Sequence, residues 1–136
     1  MTEEQLARDK TAIAERIAQY NFAIDPEDYQ GWADCFAPEG IFDGVIGKFD
    51  AHKDLDRFVT EVKRLAADSP NLRHHVSNIL TEVDGDTARS KCFLLMTSST
   101  KDGGSTIAIS GEYEDQLVKH NGKWLFSYRK VRADGV

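Results

Sequence analysis

Two adjacent histidines, His74 and His75 in the segment RHHVSN, are the residues of this chain best suited to acid–base chemistry. The chain has only four histidines. A free imidazole has a pKa of about 6.5, so it can accept a proton at neutral pH. Residues 72–83 are predicted to form a β-strand, in which neighbouring side chains point to opposite faces. One histidine therefore faces inward, but both faces mix polar and apolar residues, so the pattern leaves open which one, and whether its role is structural or catalytic.

Other kinds of site are not indicated. The sequence has no nucleophilic triad, no phosphate-binding glycine loop and no convincing set of metal ligands, so we expect neither a cofactor nor a metal. Cys35 and Cys92 are not in a CxxC or Cys/His spacing. We interpret them as two small buried side chains rather than a disulfide or a zinc site.

Charge and hydropathy narrow the range of partners. The net charge is −6 and there is no block of Lys or Arg, which argues against nucleic acid and anionic membrane. The longest apolar runs, such as CFLLM (92–96), are far shorter than the ~20 residues that span a bilayer. The charged N-terminus MTEEQLARDK lacks the apolar region of a secretory signal, so we expect a cytoplasmic protein.

Three helices are predicted in the first half of the chain. TEEQ has the spacing of a capping box, so the first helix should begin at Glu3. Asp25 and Pro26 predict the start of a second helix that ends near 37–40. Asp50 is expected to cap a third helix over 51–67. The residues expected on the buried faces are Leu6, Ile13, Ile17, Tyr20 and Ile24, then Tyr29, Trp32 and Phe36, then Leu55, Phe58, Val59, Val62 and Leu65.

Strands dominate the remainder. A glycine-interrupted β segment is predicted at 41–49, followed by strands at 72–83, 87–98, 106–120 and 123–132. The dipeptide NG (121–122) is the strongest hairpin signal. Helices followed by a meandering antiparallel sheet indicate one α+β domain over residues 1–136. A twisted sheet can curl around the helices and leave one end of the core open as a pocket.

Three segments, 22–44, 72–90 and 111–134, together resemble the SnoaL-like branch of the nuclear transport factor 2-like superfamily. The resemblance implies a cone: three helices packed in a strongly curved, mixed or antiparallel sheet that encloses a pocket. The superfamily includes dehydratases, polyketide cyclases, isomerases, an epoxide hydrolase, a dehydrochlorinase and non-catalytic β subunits of dioxygenases. The fold therefore does not identify the function.

The resemblance does select a candidate site. The dehydratases and the dehydrochlorinase use a His–Asp pair, and their positions match Asp25, at the end of the first helix, and His74 in RHHVSN. Arg129 matches an arginine that assists the leaving group, although plain strand alternation would turn it outward, into a surface ion pair. Tyr20 lies where the dehydrochlorinase has a lysine, and could donate a hydrogen bond to substrate or simply pack in the core.

Four further residues are candidates for binding substrate. Asn78 would orient a ligand or His74, and Asp43 could be a second acid or only a turn residue. Tyr113 could line the pocket or simply pack, and Trp32 is expected to bind substrate.

From these residues we expect a cofactor-independent enzyme of the lyase or isomerase type. A His74–Asp25 dyad would abstract a proton from a small hydrophobic carbonyl or ring compound in a dehydration, dehydrohalogenation, isomerisation or cyclisation. Two alternatives stay open: a non-catalytic binding module with the same pocket, and an assembly domain that pairs with itself or with a partner subunit. Family habit implies a homodimer or homotrimer.

Overall fold

Three helices and six strands make up the computed structural model, which describes residues 1–136. The helices are α1 (Glu3–Ile24), α2 (Tyr29–Ala33) and α3 (Leu55–Ala66). The strands are β1 (Phe36–Gly44), β2 (Gly47–Asp50), β3 (Arg73–Asp84), β4 (Thr87–Thr100), β5 (Gly104–His120) and β6 (Lys123–Ala133). The expected α+β cone is confirmed, with helices N-terminal to most of a curved, open sheet. No helix combines the length and apolar character needed to cross a membrane.

The sheet is mixed, in the order β2-β1-β6-β5-β4-β3. Only β1 and β6 run parallel, and all other neighbours are antiparallel. This order makes β3 an edge strand. Its free edge faces α1, and that junction holds the candidate site described below.

The second helix differs from the prediction. It begins at Tyr29 with Asp28 as its N-cap, whose Oδ1 accepts a hydrogen bond from Gly31 N at 2.9 Å. Asp25 is instead the C-cap of α1, because its N–H donates to Asn21 O and so continues the helical hydrogen bonding. Phe36 belongs to β1 and not to α2, so the first strand begins earlier than expected.

The third helix begins later than predicted. Asp50 Oδ1 accepts from the backbone N–H groups of His52 and Lys53, so it closes a turn ahead of the helix. The helix itself begins at Leu55, after Asp54. Of the side chains expected to be buried, Phe58 is 2% exposed but Leu65 is 38% exposed, and Leu65 lines a cavity.

Aspartate 9 fixes α1 to the far end of the sheet. Its Oδ1 accepts hydrogen bonds from Trp124 Nε1 and Lys119 Nζ, both at 3.1 Å, and from Gln5 Nε2 at 3.2 Å. Burial on its own would raise the pKa of Asp9, but these donors together lower it below its ordinary value. The contact sets where α1 lies on the sheet, and α1 also carries Tyr20 and Asp25.

We expect Asp9→Asn to destabilise the fold by about 1–3 kcal/mol at pH 7, because an amide cannot accept all three hydrogen bonds as an anion does. Since the folded-state pKa is lowered, the stabilisation is present above about pH 4 and is lost as the pH falls through the folded-state value. Urea unfolding from pH 3 to 7 measures this. Asp102→Asn, in the exposed β4–β5 turn, is the matched control. A wild-type advantage that stays constant with pH would contradict the assignment.

Candidate active site

An apolar cavity of about 480 Å³ lies between the helices and the inner face of the sheet. Fifteen of its 22 lining residues are hydrophobic, and the volume falls within the ~300–1,000 Å³ typical of small-molecule sites. The polar side chains among the lining are few, and two of them touch each other: Asp25 and His74. The apolar part of the lining includes Ile24, Phe42, Phe58, Val62, Leu94, Met96, Ile109 and Val131.

Asp25 and His74 form a close pair in the cavity wall. His74 Nδ1 lies 2.6 Å from Asp25 Oδ1, and the side chains are 12% and 19% exposed respectively. The backbone N–H of His74 also donates to Asp25 Oδ2 at 3.1 Å. The carboxylate therefore holds both the ring and the strand that carries it. Because an ionised carboxylate only accepts, this contact places a proton on Nδ1 and leaves Nε2 as the ring nitrogen with a free lone pair in the neutral form.

Helix stability does not explain an aspartate at this position. The C-terminal end of a helix carries partial negative charge, so a carboxylate there is unfavourable by about 0.3–1 kcal/mol. Asp25 sits at that end of α1, and its side chain reaches across to β3 instead of capping a helix. The expected capping role is therefore wrong, and the hydrogen bonds to His74 account for the residue.

Strand β3 settles which histidine faces inward. His74 lines the cavity, whereas His75 is exposed on the other face, with its Nε2 3.1 Å from Thr97 Oγ1. A bulge follows: the pairing with β4 shifts between Ser77 and Leu80, and Asn78 has a φ of 59°. The shift reverses the faces, so the side chains of Asn78 and Leu80 are exposed outside the cavity. Asn78 does not line the cavity that holds His74, contrary to the prediction.

Two tyrosines form part of the cavity floor. The rings of Tyr20 and Tyr113 meet edge to face with 6.0 Å between centroids, and Tyr20 lies 6.5 Å from the ring of His74. Burial is the largest influence on both phenols and raises the pKa of each above its ordinary value. The hydroxyls are therefore protonated at neutral pH.

Arg129 lies behind these tyrosines and does not line the cavity. Its side chain is fully buried, with Cζ 3.5 Å from the ring centroid of Tyr113 and 4.2 Å from that of Tyr20. The pairing of β5 with β6 skips Ser127, and this bulge turns Arg129 inward and Tyr128 outward. The expected surface ion pair is wrong for this reason. Direct contact with a leaving group in the cavity is also not available to a side chain placed behind the floor.

Asp115 is the buried partner of Arg129 and was not among the predicted site residues. Arg129 Nε lies 3.1 Å from Asp115 Oδ1, but no aligned hydrogen bond joins the two groups. Burial raises the pKa of Asp115 to about 6, although Arg129 acts to lower it. The alternation of Tyr113, Asp115 and Leu117 along β5 is the sequence signal that places this acid on the inner face.

Two other predicted pocket residues lie elsewhere. Asp43 is on the outer face of β1, where its Oδ2 accepts from the hydroxyl of Tyr128 at 2.5 Å. Trp32 is fully buried beneath the cavity and stacks on Phe58, with ring centroids 3.8 Å apart and planes 7° from parallel. Neither lines the cavity. No cluster of three or more His, Cys, Asp or Glu side chains is arranged to hold a metal ion.

Comparison with known proteins places this chain in a family. A family model described as a SnoaL-like domain matches residues 5–130. An Asp-to-Asn variant of Rv3472, a function-unknown protein from Mycobacterium tuberculosis, is 30% identical with a TM-score of 0.85, over 98% of this chain and 76% of that one. A protein of unknown function with a cystatin-like fold from Nostoc punctiforme is 26% identical with a TM-score of 0.79, over 95% and 93%.

A third structure supports the fold alone. A nuclear transport factor 2-like protein from Novosphingobium aromaticivorans is 20% identical with a TM-score of 0.83, over 97% of this chain and 86% of that one. No curated protein matches the chain in sequence.

The buried acid predicts a distinctive pH dependence. Because the folded-state pKa of Asp115 is about 6 and lies above its ordinary value, its contribution to stability is fully present below about pH 4 and is lost as the pH rises through 6. We expect Asp115→Asn to remove this fall in the free energy of unfolding, and Arg129→Met to extend it to higher pH, because the arginine lowers the pKa of the acid. Urea titrations from pH 4 to 8 measure the slopes, and equal slopes in wild type and Asp115→Asn would contradict the prediction.

Proposed function

Because the chain belongs to the SnoaL-like domain family, we propose that it is a cofactor-independent enzyme of the lyase or isomerase type. The proposed substrate is a small, largely apolar carbonyl or ring compound. The reaction begins with removal of an acidic C–H proton and ends in dehydration, dehydrohalogenation, isomerisation or cyclisation.

The single observation that carries the proposal is the contact of 2.6 Å between His74 Nδ1 and Asp25 Oδ1 in the wall of an apolar cavity. A carboxylate that accepts from one ring nitrogen fixes the tautomer, orients the ring and stabilises the imidazolium that forms when the other nitrogen takes a proton. A histidine with a purely structural role needs only hydrogen-bond partners for its ring nitrogens. Here the arrangement leaves Nε2 without a hydrogen bond on a residue that lines the cavity.

In the elimination reaction, Nε2 of His74 takes the proton from carbon. The electron pair of the broken C–H bond becomes the second bond between that carbon and its neighbour, and the bond to the leaving group breaks with its electrons. When the leaving group is hydroxyl, the imidazolium returns the proton to it and water departs, so the histidine is regenerated. A halide instead departs as the anion, and the proton passes to solvent.

In the isomerisation, the same nitrogen takes the proton from one carbon and delivers it to another. Negative charge then builds up on the carbonyl oxygen between the two steps. The protonated hydroxyls of Tyr20 and Tyr113 supply donors on the cavity floor for that oxygen. General-base help supplies about 10²- to 10⁴-fold, so donors in a low-dielectric cavity must supply much of the remainder.

The dyad can be tested without knowing the substrate. We expect long-range ¹H–¹⁵N spectra of the neutral form to show the His74 ring protonated at Nδ1, with that proton protected from solvent exchange. Asp25→Asn should lose the protection and mix the tautomers, because an amide is a weaker acceptor for the Nδ1 proton. His120, exposed at the end of β5, should be unchanged in the same spectra. A His74 ring that keeps its tautomer and exchange rate in Asp25→Asn would overturn the dyad.

Turnover tests the catalytic step itself. A screen of β-hydroxy ketones, β-halo compounds and enones should find eliminations or isomerisations that His74→Gln slows by at least about 100-fold. His120→Gln should be close to wild type, and His75→Gln should be milder than His74→Gln. Compounds that raise the melting temperature but are never turned over would favour a binding module. A folded state that is lost on dilution would favour an assembly domain.

A further inference from the structure

The wall of the apolar cavity contains no cationic side chain. None of its 22 lining residues is Lys or Arg, although the chain has 17 of them. Apart from three tyrosines, the ionisable residues in the wall are Asp25, Glu27 and His74. Two carboxylates and one histidine give the wall a net negative charge whether the imidazole is neutral or protonated.

Glu27 carries one of these negative charges. It lies in the turn that follows α1, is exposed to solvent and is part of the cavity lining. It takes part in none of the ion pairs of the chain. Burial is the largest influence that raises the pKa of the Tyr29 hydroxyl, and the negative charge of Glu27 raises it further. Because Tyr29 also lines the cavity, the charge of Glu27 acts on the wall itself.

Asp25 carries the other negative charge, and its contact with the ring of His74 at 2.6 Å offsets that charge only when the imidazole is protonated. The proposed reaction begins with a neutral imidazole, since a base must have a free lone pair. In the state that binds substrate, the negative charge of Asp25 is therefore not neutralised by its partner.

The guanidinium of Arg129 does not neutralise the wall either. It is fully buried behind the cavity floor, with Nε 3.1 Å from Asp115 Oδ1 and Cζ 3.5 Å from the ring centroid of Tyr113. Arg129 is not among the lining residues. An anionic group that entered the cavity would lose its hydration without reaching a cation, and like charges would lie nearby. Burial of an unpaired charge is strongly unfavourable.

We propose, on the basis of the proposed function, that the cavity selects its substrate by the sign of its charge. The substrate is an uncharged or singly cationic ring or carbonyl compound, acids are excluded, and Glu27 is a specificity-determining residue. The reaction gives a second reason for this selection. Removal of the C–H proton already places one negative charge on the carbonyl oxygen, and an acid would bring a second one into the same cavity.

Three probes of nearly equal size test the selection. 4-Acetylbenzamide, 4-acetylbenzoate and 4-acetylbenzylamine share a ring and a ketone but are neutral, anionic and cationic at neutral pH. The methyl groups of Val62 and Met96 line the cavity, so their NMR signals report binding there. We expect the acid to bind at least about tenfold more weakly than the amide, and the amine to bind at least as tightly as the amide.

Matched variants identify the groups responsible. Glu27→Gln should strengthen binding of the acid about two- to fivefold and leave the amide unchanged, because an exposed charge is partly screened. Glu39→Gln is the control: Glu39 is also exposed and has the same φ of 64°, but it does not line the cavity.

A cation placed in the wall should reverse the selection. Leu65 is 38% exposed and lines the cavity, so the stem of an arginine can follow the apolar wall. Leu65→Arg should strengthen binding of the acid and not of the amide, whereas Leu65→Gln, the uncharged match, should change neither.

An acid that binds wild type as tightly as the amide would overturn the proposal. An amine bound as weakly as the acid would overturn selection by sign, and equal effects of Glu27→Gln and Glu39→Gln would overturn the role of Glu27. These are binding measurements, whereas failure of the proposed enzyme would show in the tautomer of His74 and in turnover. If only the enzyme fails, the cavity remains a binding site that selects by charge.

Discussion

The carboxylate of Asp25 is the constraint on which the site depends, because it joins two elements that are distant in sequence. It lies at the end of α1 that least favours an anion, and it binds both the backbone and the ring of His74 on β3. An edge strand has backbone N–H groups that no neighbouring strand can satisfy, and this one is satisfied by the helix. The same two oxygens therefore close the sheet edge against α1 and fix the orientation of the imidazole. Removing the charge would loosen both at once.

Bulges are the second determinant, since they decide which side chains face the cavity. Strand alternation predicts facing only while the register holds, and a single extra residue reverses every side chain beyond it. The bulge at Asn78 leaves His74 inside but places Leu80 outside. The bulge at Ser127 brings Arg129 behind the cavity floor and sends Tyr128 to the outer face, where it donates to Asp43. The composition of the cavity lining and of its floor thus depends on two irregular positions in otherwise regular strands.

The long-range contact of Asp25 and the strand bulges explain which parts of the fold and the site could be predicted from the sequence alone. Element types followed from periodic apolar residues and from the NG hairpin, and the α1 stripe of Ile13, Ile17 and Tyr20 is buried as predicted. The proximity of Asp25 to His74 could not follow from spacing, because 49 positions separate them and only the resemblance paired them. Bulges carry a weak sequence signal, so strand alternation could not predict which way the side chains of Arg129 and Asn78 face. The prediction that Trp32 binds substrate is wrong for another reason. A large aromatic ring satisfies the pattern of a pocket wall and of a packed core equally well.

The buried pair of Arg129 and Asp115 is better understood through the cavity than through stability. Burial raises the pKa of Asp115 to about 6 although Arg129 acts to lower it, whereas Asp115 and the neighbouring phenols raise the pKa of Arg129 against its own burial. A buried ion pair of this kind is weak evidence for stability. Its guanidinium, however, is stacked against the rings of Tyr20 and Tyr113, whose hydroxyls belong to the cavity floor. A cation held there by packing needs no reorientation when negative charge develops on a bound oxygen, which is the condition for effective electrostatic stabilisation. Asp115 keeps that cation in place without lining the cavity itself. In the proposed reaction, whose intermediate is anionic, Arg129 would act through the tyrosines and not on the ligand directly.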